Sequence, residues 1–196
     1  GPFTSGNLAM YLIHGTDTSS TNFITLEEAL AKKKVVIEET GQVNSLKIKN
    51  ASDEVVFIQS GDIVKGGRQD RTLQYDMILN SKSGFESLNS FCVEQSRWHK
   101  RGEEADDHFS GSNFYLSSAR LRMAAKVGSQ NAVWNEVGNL QYRTAQRAGV
   151  HISQIQNQTS TTSLQLTLEN EKLQEHTDKY VTDLKQAMME KPYVIG

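Results

Sequence analysis

The sequence predicts an α+β fold, in which helices from the C-terminal half pack on an antiparallel, β-rich N-terminal half that is sandwich-like or a curled sheet. Short apolar runs separated by turn residues fill residues 8–98, a pattern that is typical of antiparallel strands. The apolar period then becomes helical over about residues 115–190. With 196 residues, 37% of them hydrophobic, the chain can bury a core, and we expect residues 1–196 to form a single domain.

The β-rich part contains one short predicted helix among several strands. Thr25 and Glu28 have the spacing of a capping box and predict a helix that begins after Thr25. Alternation and apolar runs predict the strands, which in chain order are residues 8–15, 34–39, 45–50, 55–64, 71–79 and 85–95.

Two helices are expected in the C-terminal half, joined by a polar linker at residues 153–163. The first carries the apolar stripe of Val133, Val137 and Leu140 and ends at Gly149. The second covers about residues 165–190 and has apolar side chains seven residues apart, namely Leu166, Leu173, Tyr180 and Ala187. That stripe is typical of packing on a neighbouring element, and contact with a partner or a self-associating coiled coil is the alternative.

Composition excludes some classes of function. The chain has 21 Lys plus Arg and 23 Asp plus Glu, a net charge of -2, which argues against broad nucleic-acid binding. No apolar run approaches the roughly 20 residues of a membrane span. The single cysteine, Cys92, cannot form an internal disulfide, so the sequence leaves open whether the protein is cytoplasmic or exported after loss of a signal peptide. The ends, "GPFTSGNLAM" and "KPYVIG", suggest a trimmed fragment of a longer chain.

A glycine corner interrupts the strands at "GDIVKGGRQD". Lys65 precedes Gly66 and Gly67 and a strand follows them, whereas a P-loop has its lysine after the last glycine and a helix next. A turn or bulge that needs positive φ explains the glycines, and a nest of N–H groups that binds an anion is the alternative.

Gln69 and Arg71 lie in the period-two register of the apolar residues Leu73, Tyr75, Met77 and Leu79, so both should point inward. A buried guanidinium requires an anionic partner. Glu94, Asp62 and Asp70 are the candidate partners within the protein, and an anionic ligand is the alternative.

The segment "FCVEQSRW" supplies further polar candidates. Alternation places Cys92, Glu94 and Trp98 on one face, with Gln95 and Arg97 on the other. Glu94 and Asp70 are candidate acid/base residues, and Cys92 is either a nucleophile or a small buried hydrophobe. Arg97 and Trp98 form a stacking platform for a base or sugar, or else Trp98 closes the end of the sheet.

The charged loop after Trp98 carries oxygen and nitrogen donors, among which His99, Asp107 and His108 are weak metal candidates; Glu103, Glu104 and Asp106 lie between them. No recognised metal-ligand spacing is present, so we expect no metal site. The loop is either solvated or a lid over the neighbouring motif.

Several phrases in order carry a resemblance to a known family: "TLEEALAKKKVVIEETG", "LKIKNASDEVVFIQSGDIVKGGRQDRTL", "FCVEQSRW" and "NAVWNEV". The chain resembles, over about residues 7–196, the bacterial ARG and rhodanese-phosphatase-superfamily-associated proteins, a domain of unknown function. The resemblance implies a longer parent chain and a context related to ADP-ribose or phosphate, and it implies no reaction. The family's recurrent positions correspond to Gly61, Gly66, Gly67, Gln69, Asp70 and Arg71, and to Cys92, Val93, Glu94, Gln95, Arg97 and Trp98. Ser96 stands where the family usually has Gly, which argues against a need for positive φ there.

Two hypotheses of function follow. In the first, the chain is a ligand-binding or enzymatic domain for an anionic, nucleotide-like or ADP-ribose-like ligand, with its site where the Gly66–Arg71 corner meets the Cys92–Trp98 strand. The expected ligand-binding residues are Gly66, Gly67, Gln69, Arg71, Gln95, Arg97 and Trp98. In the second, the chain is a non-catalytic interaction or structural module in which the same residues form an internal polar network.

Overall fold

A computed structural model describes residues 1–16, 22–105 and 107–188, and within these residues the predicted α+β fold is confirmed. The strands are β1 (Phe3–Ser5), β2 (Leu8–Met10), β3 (Phe23–Thr25), β4 (Val35–Gln42), β5 (Ser45–Asn50), β6 (Val55–Ile58), β7 (Asp62–Gly66), β8 (Arg71–Leu73), β9 (Met77–Leu79), β10 (Glu86–Cys92) and β11 (Phe109–Leu116). The helices are α1 (Leu26–Ala31), α2 (Ala119–Val127), α3 (Gln130–Ala148), α4 (Leu164–Leu168) and α5 (Glu171–Met188).

The backbone divides into two compact units. One unit, Asn22–Glu169, contains every described strand from β3 to β11 and the helices α1 to α4. The other combines Gly1–Thr21 with Asn170–Gly196; its strands β1 and β2 form an antiparallel hairpin, and α5 contacts β1. The expectation of a single trimmed domain stays a prediction. The terminal segment "KPYVIG" lies outside the described residues.

A six-stranded antiparallel sheet is the centre of the larger unit, with the strand order β11-β7-β8-β10-β5-β4. The sheet curls so far that its first and last strands approach each other. Glu38 of β4 forms a β-bridge with His108, just before β11, and the Glu39 N–H donates to the Asp107 carbonyl at 3.0 Å. The result is a half-barrel, the curled alternative of the sequence prediction.

The concave side of the half-barrel is filled by apolar side chains. Alternate positions of the strands point inward, as period-two geometry requires. Leu26 and Ala29 of α1 complete this cluster, and the predicted capping box is present, with Glu28 N–H donating to Thr25 Oγ1 at 3.2 Å and Thr25 N–H to Glu28 Oε2 at 2.9 Å. The strand members are Val35, Ile37, Leu46, Ile48, Val56, Ile58, Val64, Leu73, Leu79, Leu88 and Phe109. Each such side chain contributes about 1.5–3 kcal/mol when fully buried.

Helices α2, α3 and α4 pack on the opposite face of the sheet. Ile63, Phe91 and Val93 point outward and form a second cluster with helix residues that include Val133 and Val137 of the predicted stripe. Gly149 ends α3 with φ 68°, the left-handed conformation expected of a C-terminal glycine.

Two predicted strands are each divided between sheets. Residues 55–64 break at Gly61, where φ is 92°, so that β6 joins a small sheet of order β3-β6-β9 and β7 joins the half-barrel. Residues 71–79 break likewise between β8 and β9, and at this break the Asp76 carboxylate accepts the Ser60 N–H at 2.7 Å. The alternation does not continue through the break, and Tyr75, predicted to point inward, is 49% exposed.

Strand β11 and the break in the second C-terminal helix were not predicted. β11 pairs antiparallel with β7, where the sequence indicated a loop followed by a helix. The predicted helix of residues 165–190 is interrupted at Asn170, whose side chain accepts the Lys172 N–H at 3.2 Å and so begins α5. None of the helices within the described residues is long and apolar enough to cross a membrane.

Two glycine substitutions test the backbone geometry of the half-barrel. Gly66 has φ 125°, and a Cβ there would lie 2.7 Å from the His108 carbonyl oxygen, so Gly66→Ala should lower the free energy of unfolding by about 1–3 kcal/mol. Gly138 lies within α3 with open space around it, so Gly138→Ala should raise the same quantity by about 0.5–1 kcal/mol. Urea unfolding followed by tryptophan fluorescence measures both, and a Gly66→Ala protein as stable as the wild type would contradict the corner geometry.

Candidate functional site

The Gly66–Gly67 corner is a positive-φ turn, as predicted, with φ 125° and 55°. Its backbone N–H groups have acceptors within the protein. Gly66 N–H donates to Asp70 Oδ1 at 3.1 Å, and Gly67 N–H donates to the carbonyl oxygens of Ala105 at 3.0 Å and His108 at 3.2 Å. A nest that binds an external anion would need these N–H groups free, so the geometry favours the structural reading of the glycines.

Arg71 points into the half-barrel and is fully buried, as its register predicts. Its carboxylate partner is Glu39 of β4, with Nη2 3.2 Å from Glu39 Oε2 and side-chain exposures of 0% and 5%. Nη1 donates to the Gln69 carbonyl at 3.1 Å and to the sulfur of Cys92, its cross-strand neighbour, at 2.9 Å. The three partners proposed from the sequence, Glu94, Asp62 and Asp70, do not pair with Arg71.

Glu39 is the member of this pair that sequence reasoning missed, although a signal was present. Val35 and Ile37 are buried on the inward face of β4, and Glu39 is the next residue in the same period-two register. Glu39 therefore continues the inward register of its strand in the same way as Arg71 does in β8.

Cys92 is completely buried beside this ion pair. Burial raises the pKa of its thiol to about 11, and the neighbouring Arg71 only partly opposes the rise. At neutral pH the sulfur is consequently a thiol, whereas a nucleophilic cysteine needs a lowered pKa. The surroundings favour the buried-hydrophobe interpretation of Cys92.

A second ionic cluster lies where the glycine corner meets the end of β10. We call Asp70, Glu94, Arg97 and Arg101 the buried charge cluster. Arg101 binds Asp70 in a bidentate manner, with Nη1–Oδ2 at 3.0 Å and Nη2–Oδ1 at 3.1 Å. Arg97 Nε donates to Glu94 Oε2 at 2.7 Å, and Arg101 Nη1 is 3.5 Å from the same oxygen. Two carboxylates thus face two guanidiniums, and their charges balance.

In this cluster, close ion pairing offsets the unfavourable desolvation of the buried charges. Burial raises the pKa of Asp70, while Arg101 and the Gly66 N–H act against that rise. Burial alone would lower the pKa of Arg101, but Asp70 and Glu104 raise it above its ordinary value. Arg101 also binds Glu104, with Nη2 2.8 Å from Oε1, so carboxylates engage Nε and both Nη atoms of its guanidinium.

Ser96 turns the chain so that Arg97 meets Glu94. Strict alternation placed these two side chains on opposite faces, and that prediction is wrong because β10 ends at Cys92. Ser96 adopts φ 75°, so the position does require positive φ even though serine replaces the family's usual glycine.

A cleft of about 370 Å³ opens beside the buried charge cluster. We call it the loop cleft; its two walls are the segments 95–102 and 158–162. Gln95 N–H donates to Thr162 Oγ1 at 3.1 Å and Thr162 Oγ1–H donates to the Gln95 carbonyl at 2.7 Å, which joins the walls at one end. The lining residues are Gln95, Ser96, Arg97, His99, Lys100, Arg101, Gly102, Gln158, Thr159, Ser160, Thr161 and Thr162.

The loop cleft contains only part of the predicted ligand-binding set. Gln95 and Arg97 line it, together with the weak metal candidate His99. The other predicted ligand-binding residues and the acid/base candidates are not in its lining; these are Gly66, Gly67, Gln69, Arg71, Trp98, Asp70, Glu94 and Cys92. Sequence reasoning missed Lys100, Arg101 and the whole wall of residues 158–162, which it treated as loop and linker.

Trp98 is 40% exposed. In the sequence it lies between Arg97 and Arg101, the two arginines of the buried charge cluster. The guanidinium carbons of Arg71 and Arg68 are 5.5 Å and 5.6 Å from its ring centroid. Cations at this distance are attracted to the negative face of the indole ring. Trp98 therefore lies over the guanidinium of the Arg71 ion pair, and its expected place at the end of the sheet stays a prediction.

The candidate metal ligands do not converge. Asp107 Oδ1 and His108 Nδ1 lie 2.6 Å apart in an exposed pair, and Asp106 lies outside the described residues. Across residues 1–16, 22–105 and 107–188, no three His, Cys, Asp or Glu side chains are grouped so that they could hold a metal ion.

Fold and site together define an α+β domain with a curled sheet, a buried charge cluster and an adjacent polar cleft. Residues 1–196, the whole chain, match the ARG and Rhodanese-Phosphatase-superfamily-associated Protein domain, and the chain belongs to that family. No curated protein and no solved structure matches the chain significantly.

A double-mutant cycle tests the Arg71–Glu39 pair. Arg71→Met alone leaves the Glu39 carboxylate buried without its cation and should lower the free energy of unfolding by about 3–5 kcal/mol. Glu39→Gln keeps an oxygen for the backbone N–H groups of Thr40 and Gly41, which Glu39 Oε1 accepts at 3.1 Å each. The double variant should therefore lose much less than the sum of the two single variants.

The exposed pair of Lys82 and Asp53 supplies the control, because its side chains are 70% and 83% exposed. Lys82→Ala should change the free energy of unfolding by no more than about 1 kcal/mol. Strictly additive losses at Arg71 and Glu39 in urea unfolding would show that the pair is not coupled.

Proposed function

We propose that this domain binds a small anionic ligand in the loop cleft. The observation that carries the proposal is the charge of the lining: among the described residues it contains Arg97, Lys100 and Arg101 and no Asp or Glu. Carboxylates outside the lining balance the two arginines, so Lys100 supplies the unbalanced positive charge. A concave surface with unbalanced positive charge attracts anions and raises their local concentration.

Lys100 is the cation that would contact the ligand directly. Its side chain is exposed and, within the described part of the chain, has no ion-pair or hydrogen-bond partner. Arg101, in contrast, is occupied by Asp70 and Glu104. A hydrogen bond from an ammonium to an anion contributes about 1.5–3 kcal/mol, more than a neutral one.

Arg97 supports the cleft wall beside Lys100, and its guanidinium is engaged or buried within the protein. It is only 7% exposed and lines the cleft, and its Nη2 makes no hydrogen bond within the described residues. The nearest carboxylate oxygen to Nη2 is Asp70 Oδ1 at 3.6 Å, beyond hydrogen-bond distance. Because Nη2 is itself buried, an anion in the cleft would meet the wall that Arg97 supports and not a free N–H of its guanidinium.

Phosphate is the anion class that suits this lining best, because a phosphate group accepts hydrogen bonds from cations and hydroxyl groups together. The family description mentions phosphatase-superfamily proteins, and we extend the proposal to phosphate-bearing ligands such as ADP-ribose on that ground. No catalytic step is part of the proposal, since Cys92, Asp70 and Glu94 lie outside the lining.

A second candidate function is a non-catalytic structural or interaction module. The complete burial of Asp70, Arg71 and Glu94, all paired or hydrogen-bonded within the protein, favours it. Under this candidate the ionic clusters stabilise the fold, and the loop cleft binds nothing.

Thermal unfolding with and without ligand separates the two candidates. Inorganic phosphate, pyrophosphate and ADP-ribose should each raise the Tm of the wild-type protein, whereas chloride at equal ionic strength should not. A ligand at 100 times its Kd stabilises by about 2.7 kcal/mol, which for a chain of this size is a rise of several degrees. Lys100→Ala should remove most of this rise because it removes the unpaired cation of the cleft.

Lys126→Ala is the matched control, because Lys126 is also exposed but lies on α2 outside the cleft lining. It should respond to phosphate as the wild type does. If no phosphate compound stabilises the wild type, the anion-binding proposal fails and the structural module remains.

A further inference from the structure

The uncharged part of the loop cleft is made of polar side chains. The side chains of Gln95 and Gln158 offer amide groups, and those of Ser96, Thr159, Ser160 and Thr161 offer hydroxyl groups. Within residues 1–16, 22–105 and 107–188, none of these six side chains makes a hydrogen bond to the protein. Amides and hydroxyls both donate and accept, so each can bind a group that also does both.

Large apolar side chains are missing from the same lining. Among the described residues that line the cleft, His99 has the one aromatic ring, and the apolar surface otherwise comes from the methylene and methyl groups of polar side chains. Trp98, the next residue along the chain from His99, is not in the lining, and Arg68 and Arg71 already lie within 6 Å of its ring centroid. Binding of a nucleobase depends on an aromatic or apolar surface on which the base stacks.

We infer that the ligand of the loop cleft is a phosphorylated sugar, an inference that rests on the proposed anion site. Lys100 binds the phosphate from one wall, and the hydroxyl and amide side chains of both walls bind the sugar hydroxyls. A sugar hydroxyl both donates and accepts, which matches these groups, whereas a base would find the His99 ring but no Phe, Tyr or Trp among the described lining residues. The volume of about 370 Å³ lies at the lower end of the range for small-molecule sites.

A site for a phosphorylated sugar should bind phosphate compounds with different affinities, in an order that follows from their hydroxyl groups. Each hydrogen bond to a sugar hydroxyl is worth about two- to tenfold in affinity. Ribose 5-phosphate and glucose 6-phosphate should therefore bind at least tenfold more tightly than inorganic phosphate or butyl phosphate, which has a chain but no hydroxyl groups. AMP contains the ribose phosphate and should bind no more tightly than ribose 5-phosphate.

Isothermal titration calorimetry of the full chain with these five compounds tests the order. The double variant Thr159→Val/Thr161→Val removes two exposed hydroxyls at nearly constant shape and disturbs no hydrogen bond of the protein. It should weaken the sugar phosphates about fivefold or more and leave the affinity for inorganic phosphate unchanged. Thr4→Val, an exposed threonine of β1, is the control and should change neither affinity.

The outcomes separate the two proposals. If inorganic phosphate binds and the sugar phosphates bind no more tightly, or if AMP or butyl phosphate binds more tightly than ribose 5-phosphate, the sugar inference is overturned and the anion site stands. If none of the five compounds binds, both are overturned.

Discussion

The carboxylate of Asp70 is the constraint on which the candidate site depends. It is completely buried, and its two oxygens accept the Gly66 N–H and both Nη atoms of Arg101. One side chain thus holds the glycine corner and the loop that forms a wall of the cleft. An uncompensated charge at this depth costs several kcal/mol, so the loop cannot leave without a large loss of stability. The sequence left open whether this loop is solvated or a lid, and in the structure the pair of Arg101 with Asp70 anchors it.

The buried ion pair of Arg71 and Glu39 stabilises a different part of the fold. Arg71 and Glu39 lie within the half-barrel, and Glu39 is on β4, the last strand of the curled sheet. The pair therefore joins β8 to β4, and Trp98 lies over its guanidinium. Both charged side chains are buried in the half-barrel, and neither lines the loop cleft. The two motifs that the sequence groups into one site consequently divide into an internal ion pair and a cluster that supports a cleft.

Regular periodicity explains which parts of this arrangement the sequence could predict. Arg71 follows the alternation of its strand, and its inward direction is correct for that reason. Arg97 lies beyond the end of β10, where the turn at Ser96 replaces alternation, and its predicted face is wrong. Arg101 lies in a charged loop without any period, so only the tertiary contact with Asp70 distinguishes it from a solvated arginine. β11 was missed because its first half, "FSGS", lacks the apolar alternation of a strand.

Amide hydrogen exchange of wild type and Asp70→Asn tests the central claim most directly, namely that the Asp70 carboxylate anchors the loop to the glycine corner. Asparagine keeps the size of the side chain but removes the charge that Arg101 binds. In the variant, peptides covering residues 95–105 should lose protection by about tenfold or more, because a charged hydrogen bond is worth about 1.5–3 kcal/mol. Peptides from β5 and β6 should keep theirs. Unchanged protection of residues 95–105 would contradict the account.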